Sequence, residues 1–330
     1  GLDANFVKGV KWSPDGTCLL SSSNDNILRV FDKPPTVGYE DATSSNDDGD
    51  SRLPEALAIK EPECVYDTTW FPGMTSSDPT TCVFLSSVRE HSIRLWDAYT
   101  GALRCSYVPF DHLDQVQAPN SLTFNLDGSK IYAGFTNHIQ IFATDRPGRD
   151  SRRVATSPSK KSREGQKGLV STIAFNPDRS GLYACGSYAG TVGLYDERNN
   201  ELLDLLCPAA KTLKSQGGGA GFTQVEFSPC GTYLYAAARK SSHILCWDVR
   251  KSAEVLRTFS RAGNTNQRMS FSLGEGGRWL ASGDTEGYVV VFDTGTGGVV
   301  SRYKGHEDVV SACGFHPSLP VLATSSGQRR

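Results

Sequence analysis

Short apolar runs, many rich in β-branched and aromatic residues, recur along the whole chain and stop at polar, Gly- or Pro-containing turns. LYACGS at 182–187, ILCWD at 244–248 and YVVVFD at 288–293 are typical, and their length and composition predict β-strands. No amphipathic helix of about 10–15 residues separates them, which excludes a parallel sheet with crossover helices. The runs belong to a repeat. Seven times an aromatic residue leads into a Pro/Gly turn, a strand ending in small residues, a polar loop and a second strand that usually closes on an aromatic–Asp pair. The anchoring aromatics are Trp12 (VKWSPDG), Trp70 (DTTWFPG), Phe124 (SLTFNLDG), Phe175 (TIAFNPD), Phe227 (QVEFSPCG), Phe271 (MSFSLGEG) and Phe315 (CGFHPS). The closing pairs are Phe31-Asp32, Trp96-Asp97, Tyr195-Asp196, Trp247-Asp248 and Phe292-Asp293, while the third repeat ends Ile141-Phe142 with Ala143 in place of Asp.

Successive anchors lie 58, 54, 51, 52, 44 and 44 residues apart. The last two gaps match the ~40–45 residues of a WD repeat, and the longer ones carry insertions. Over nearly the whole chain the pattern resembles a WD-repeat β-propeller: all-β, seven-bladed, with residues 1–330 as a single domain. Each blade of such a ring is a four-stranded antiparallel sheet packed face to face on its neighbours. The small residues let adjacent sheets approach, and the S-P-D-G turn supplies the fixed φ of Pro and the positive φ of Gly. After Phe315 only HPSLPVLATSSGQRR remains, so the seventh blade is expected to be incomplete. An unpaired sheet edge is an aggregation hazard. The expectation is therefore that residues outside this chain close the ring, or that the ring stays open.

Two segments break the period. Residues 33–63 hold eight acidic residues against three basic ones, and residues 143–168 hold eight basic against three acidic. Both read as surface loops, and QGGGAG at 216–221 reads as a flexible lead-in to the fifth blade. With Lys plus Arg at 34 and Asp plus Glu at 36, the net charge of −2 excludes a uniformly basic nucleic-acid coat and leaves local patches. Nine cysteines with no C-x-x-C spacing argue against a disulfide scaffold or a structural zinc site. They read as reduced thiols, several inside apolar runs, so neither metal nor cofactor is expected. No apolar run approaches the ~18 residues of a membrane span. Nucleophile elbows, His-Glu-x-x-His, P-loops and dinucleotide fingerprints are missing, so a non-catalytic role is expected.

Chain direction decides which loops share a face. The approach to each first strand and the loop between second and third strands lie at one mouth of a propeller, and the S-P-D-G turns lie at the other. The first set holds Phe6, Lys8, Asn24, Asp25, Tyr66, Arg89, His91, Tyr188, Arg239, Lys240, Gln267, Arg268, Gln328 and Arg329. Guanidinium groups interleaved with rings suit single-stranded RNA, gripping phosphates while bases stack. Phe6 also fits a ring-closing contact, and Arg239 fits a bridge to an acid in a neighbouring blade. Arg146 and Arg149 of the basic insertion are candidate auxiliary phosphate contacts, though a charge run also fits a solvated face. Gly305-His306 is the one strict Gly-His of the repeat, and its usual Asp partner is missing from the SGQRR loop, so His306 reads as structural. Trp247-Asp248-Val249-Arg250 fits the W-D-x-R signature of cullin ligase substrate receptors.

Several stretches go beyond the generic repeat and resemble the telomerase Cajal body protein family. They are NFVKGVKWSPDGTCLL, DNILRVFDKPP, REHSIRLWDAYTGALR, RPGRD (Arg146–Asp150), LYACGSY (Leu182–Tyr188), ARK (Ala238–Lys240), LCWDVR, TNQR (Thr265–Arg268) and HPSLPVLATSSGQR. The resemblance implies a monomeric, non-catalytic RNA-binding scaffold in the nucleus, at Cajal bodies. Its RNA would be the CAB-box loop of H/ACA small Cajal-body RNAs and of telomerase RNA. Its protein partners would be those of the H/ACA particle and of telomerase reverse transcriptase. Tyr188 or Phe6 would stack on splayed bases, and Arg89, Arg239, Lys240, Arg268 and Arg329 would contact phosphates or a guanine edge. The open alternatives are a protein-interaction propeller, as a ligase receptor or assembly platform, and a spliceosomal small-RNA biogenesis factor without a telomerase role.

Overall fold

A computed structural model describes residues 5–34, 53–111, 113–159, 161–162, 164–207 and 221–328. Their strands form six four-stranded antiparallel sheets and one two-stranded sheet. The first blade is β1 (Val7–Trp12), β2 (Cys18–Ser23), β3 (Ile27–Asp32) and β4 (Glu55–Lys60); the second is β5 (Val65–Trp70), β6 (Val83–Val88), β7 (Ile93–Asp97) and β8 (Leu103–Tyr107). The third holds β9 (Ser121–Phe124), β10 (Lys130–Phe135), β11 (His138–Ala143) and β12 (Ser151–Ala155), and the fourth β13 (Val170–Phe175), β14 (Leu182–Ser187), β15 (Val192–Asp196) and β16 (Leu202–Leu206). Next come β17 (Phe222–Phe227), β18 (Tyr233–Ala238), β19 (His243–Asp248) and β20 (Arg257–Ser260). The sixth blade is β21 (Phe271–Leu273), β22 (Trp279–Gly283), β23 (Tyr288–Asp293) and β24 (Val299–Lys304), followed by the pair β25 (Val310–Phe315) and β26 (Leu322–Ser326).

The repeat signals fall at strand ends. Trp12, Trp70, Phe124, Phe175, Phe227 and Phe315 each end a first strand, and every closing pair ends a third strand. The sixth anchor is corrected by two residues. Leu273 pairs with Leu280 as Phe227 pairs with Leu234, so leucine holds the anchor position and Phe271 packs two residues earlier on the same strand. The closing aspartates cap the turn into the fourth strand: Asp97 accepts from the Tyr99 and Thr100 amides, both at 2.9 Å, and Asp293 from the Thr296 amide at 2.9 Å.

The hydrophobic core is a chain of clusters between blades. Tyr132, Phe175, Tyr183 and Tyr195, all buried, stack through the gap between the third and fourth blades at centroid distances of 4.8–5.3 Å. Each such ring contributes roughly 1.5–3 kcal/mol by leaving water. Close approach is set by a glycine at one repeated position. A Cβ on Gly134 would lie 2.6 Å from Val170 O of the fourth blade, and one on Gly283 would lie 2.4 Å from Val310 Cβ of the seventh.

The ring closes on two strands. β25 stacks on the sixth blade through Val310 over Gly283 and the Phe315 amide on Ser272 Oγ at 3.1 Å. On its other side Trp12 Nε1 donates to Gly314 O at 3.0 Å, Ser311 Oγ donates to Val7 O at 2.5 Å, and the Trp12 and His316 rings meet edge-on at 4.9 Å. The expectation of an open ring is thus corrected, because the inner pair of the seventh sheet bridges its neighbours, and the expected incomplete seventh blade is seen as two strands among the described residues.

Both insertions are narrower than the composition suggests. Residues 33–63 contain β4 and residues 143–168 contain β12, each the outermost strand of its blade. Most of their side chains are exposed, because an outer strand faces water. The centre of the acidic insertion and most of QGGGAG lie outside the described residues.

Candidate nucleic-acid interface

The mouth predicted from chain direction is built from tight turns. Between second and third strands, Asn26, Glu90, Asn137, Gly190, Lys240 and Gly287 all have positive φ, from 51° to 86°. Each of these turns reverses the chain within two to four residues, so the preceding side chains stand at the rim. Backbone bonds knit turn to approach strand within each blade. The Asn24 amide donates to Phe6 O (2.9 Å), Arg89 to Cys64 O (3.0 Å), Tyr188 to Leu169 O (2.9 Å) and Arg239 to Gly221 O (2.8 Å). The rim is therefore set by the blades rather than by free loops.

A central channel of about 950 Å³ opens at this mouth, lined there by Phe6, Lys8, Asn24, Tyr66, Tyr188, Gln267, Arg268 and Gln328. The Arg239 guanidinium lies over the Tyr188 ring, 3.9 Å from its centroid, and not against an acid of a neighbouring blade. Lys8 Nζ donates to Cys64 Sγ at 3.2 Å. Phe6 serves both readings: it lines the channel and packs under Gly327, whose added Cβ would lie 2.4 Å from Phe6 Cβ.

Gln267 and Gln328 are oriented by their own partners, Gln267 Nε2 donating to Gly327 O at 2.7 Å and Gln328 Nε2 to Asp308 Oδ1 at 2.9 Å. Arg89 is turned to Glu90 at 3.3 Å, and His91 Nδ1 sits 2.7 Å from Arg89 O. These two, with Lys240, stand on rim turns outside the channel lining. Asp25 is taken up by Arg29 at 2.8 Å and serves the turn. Arg329 lies outside the described residues. Arg146 and Arg149 follow Ala143, which pairs with Lys130 beyond the S-P-D-G-type turn, so they leave β11 at the end away from this mouth.

Inside the channel the predicted Arg268 joins charges that the sequence reading missed. Lys11 Nζ lies 3.1 Å from Asp67 Oδ1 and also bonds Thr68 O; Arg268 Nη1 lies 4.0 Å from the same carboxylate, whose Oδ2 accepts the Leu122 amide at 3.0 Å. Burial pushes the Asp67 carboxyl up, yet Lys11, Arg268 and the Leu122 N–H together hold it below the usual carboxylate range. Across the channel, burial pushes Glu226 up to about 7 against the Leu273 amide and Gln224. A signal for some of these exists: Lys11, Thr69, Thr123, Glu226 and Ser272 each precede the residue that ends a first strand, and all line the channel.

His306 Nε2 meets Thr324 Oγ1 at 2.9 Å, so threonine stands where an Asp-based network was in doubt. The W-D-x-R arginine, Arg250, is held by Asp248 through bonds of 2.9 and 2.7 Å. Among the described residues no His/Cys/Asp/Glu group could hold a metal, and no helix is long and apolar enough to cross a membrane.

The model for the WD domain, G-beta repeat, matches residues 2–32, 157–196 and 297–329. The chain is 41% identical to Telomerase Cajal body protein 1 of Bos taurus over 98% of its length and 58% of the relative's. The human protein of that name is 40% identical over 98% of the chain and 57% of the relative. The Drosophila melanogaster homolog is 36% identical, also over 98% and 57%. The chain belongs to the Telomerase Cajal body protein 1 family of WD40 proteins. It spans somewhat under three fifths of the length of these relatives.

Proposed function

We propose that the mouth binds a short single-stranded RNA loop, the CAB box of H/ACA small Cajal-body RNAs and of telomerase RNA. The protein then acts as a scaffold that brings the particle to Cajal bodies in the nucleus and supports telomere maintenance. The observation that carries this reading is the Arg239 guanidinium stacked on Tyr188 at the channel rim. A ring already covered on one face by a cation presents its other face and edge to a base, and the guanidinium keeps N–H groups for phosphate or a guanine edge. Phe6 and Tyr66 add rings along the same opening, and Lys8 and Arg268 add charge. Stacking is worth ~1–3 kcal/mol per base, so two stacks with a few charge contacts suffice for a short motif.

The test is a labelled CAB-box hairpin titrated across a salt series. Affinity is expected to fall steeply with salt, to drop on R239A, and to vanish when the loop bases are exchanged. Affinity indifferent to the loop sequence, with only a protein partner surviving stringent washing, would transfer the mouth to the protein-interaction reading.

A further inference from the structure

Several arginines of other blades are neutralised locally. Arg29 pairs with Asp25 and Glu55, Arg94 with Glu61, Arg104 with Asp97, Arg250 with Asp248, and Arg302 with Asp284 and Glu286. The outer wall of the third blade differs. Arg146 and Arg149, in the turn before β12, and Arg152 and Arg153, on β12 itself, are all exposed. Among the described residues no carboxylate lies within 4.0 Å of any of them, although Asp145 and Asp150 share the segment.

Their partners are neutral, and they hold Arg149 and Arg152 in place. Arg149 lies over the Phe110 ring at 4.1 Å, and Arg152 Nη2 donates to Asn199 O at 3.1 Å. Arg153 Nη2 lies 3.4 Å from His138 Nδ1, but that nitrogen is also 3.0 Å from Thr136 O. Donating there leaves Nδ1 no lone pair for the guanidinium. The segment is also fixed as backbone: Gly148 accepts the Val108 amide at 2.8 Å and donates to Ser106 O at 3.0 Å. Guanidinium groups that are ordered, exposed and uncompensated behave unlike a solvated charge run, whose members pair with one another or stay mobile.

We propose that this wall is a second nucleic-acid contact, gripping the phosphate backbone of the duplex stem that carries the loop. It rests on the reading of the mouth as the loop site. β12 runs from the face opposite the mouth, at Ser151, toward the mouth face, where the Thr156 amide bonds Asn137 O at 3.0 Å. A hairpin whose loop enters the channel would send its stem outward over the blades, and this strip is the one run of unpaired arginine along that wall among the described residues. Contacts of this kind carry no sequence information and are read by charge and A-form shape.

The experiment compares wild type with the double variant R146Q/R152Q, and with R146K/R152K to retain the charge, folding being checked by thermal melts. Three labelled probes are used: the CAB-box loop as a short single strand, the full hairpin, and a blunt duplex of the stem sequence. The glutamine variant is expected to bind the single strand as wild type does. It should bind the hairpin about five- to tenfold more weakly at low salt, with the log–log salt slope shallower by about 2. The lysine variant should keep the wild-type slope. Unchanged hairpin affinity and slope overturn the stem contact while leaving the mouth reading intact. If no protein binds the single strand but duplex binding still weakens in the glutamine variant, the mouth reading fails and the wall stands. Wild-type binding of a poly-glutamate peptide in preference to the duplex, lost in the glutamine variant, overturns the proposal in favour of an acidic protein partner.

Discussion

Arg268 reaches from the approach to the sixth blade to within 4.0 Å of Asp67 on the second, passing over the channel that the seventh and first blades flank. Lys11 of the first blade meets the same carboxylate at 3.1 Å and the Leu122 amide of the third donates to it at 3.0 Å, so one side chain that is 9% exposed ties four blades together. D67N leaves two cations facing a neutral amide. Because both cations are themselves partly solvated, the expected cost is about 1–2 kcal/mol rather than that of a fully buried pair. Urea unfolding at neutral pH measures it. The carboxyl is held low in the folded state, so its contribution is complete above the unfolded value near 4 and is lost as pH falls through the folded one. The wild-type stability curve should therefore steepen below about pH 4 relative to D67N.

Glu226 runs the other way. Its folded value of about 7 lies above that of an unfolded glutamate, so the neutral acid is favoured by the fold. Stability from this group is complete below about pH 4 and is lost as pH rises to 7. E226Q keeps an acceptor for the Leu273 amide, which lies 3.2 Å from Oε1. It is expected to stabilise the protein on the order of 1–2 kcal/mol at pH 8 and to change little at pH 5, read from denaturant midpoints at the two pH values.

The contact between Tyr188 and Arg239 predicts coupling. Y188A and R239A should each weaken binding of the CAB-box hairpin about tenfold, and the double variant should lose less than the product of the two. Y188F keeps the ring and should bind within about twofold of wild type, since stacking uses the ring and not the hydroxyl. Anisotropy titrations at one fixed salt concentration close the cycle.

Glu61, fully buried, accepts from Ser86 Oγ at 2.7 Å and Trp96 Nε1 at 3.0 Å, and pairs with Arg94. E61A strands two donors, Ser86 Oγ and Trp96 Nε1, beside an uncompensated Arg94 guanidinium and should cost about 3–5 kcal/mol in chemical denaturation. E61Q retains an acceptor oxygen and should lose less, which separates the hydrogen bonds from the charge.

That same position shows why some of the fold is legible in the sequence and some is not. The anchoring aromatics and closing aspartates can be read because each is imposed by local geometry, a strand end or a capped turn. The network between a fourth strand and the next blade is imposed by volume and donors in a closed space, which several side chains satisfy. Glu61, Gln166, Arg261 and His306 all occupy it, bonding Ser86, the Tyr195 hydroxyl, Ser282 and Thr324 in turn. Only His306 carries a recognisable motif. The rim residues were accessible to reasoning because strand direction fixes which loops share a face. The Asp67 junction was not, because Lys11, Asp67 and Arg268 meet through ring closure, and no spacing encodes which blades face each other across a channel. β4 and β12 escaped for a further reason: a strand with one face in water can carry enough charge to look like a loop.

The seal between Trp12 and Gly314 joins residues 302 apart in the chain. Phe6 and Gln328 reach the same opening only once that seal has formed. During translation the first six blades can stack in order, each on the last, but the aperture has no complete perimeter until β25, β26 and Gln328 have left the ribosome. A nascent chain halted before Phe315 would hold finished blades and a missing doorway, so any ligand of the mouth meets a complete perimeter only in molecules whose synthesis has passed that point.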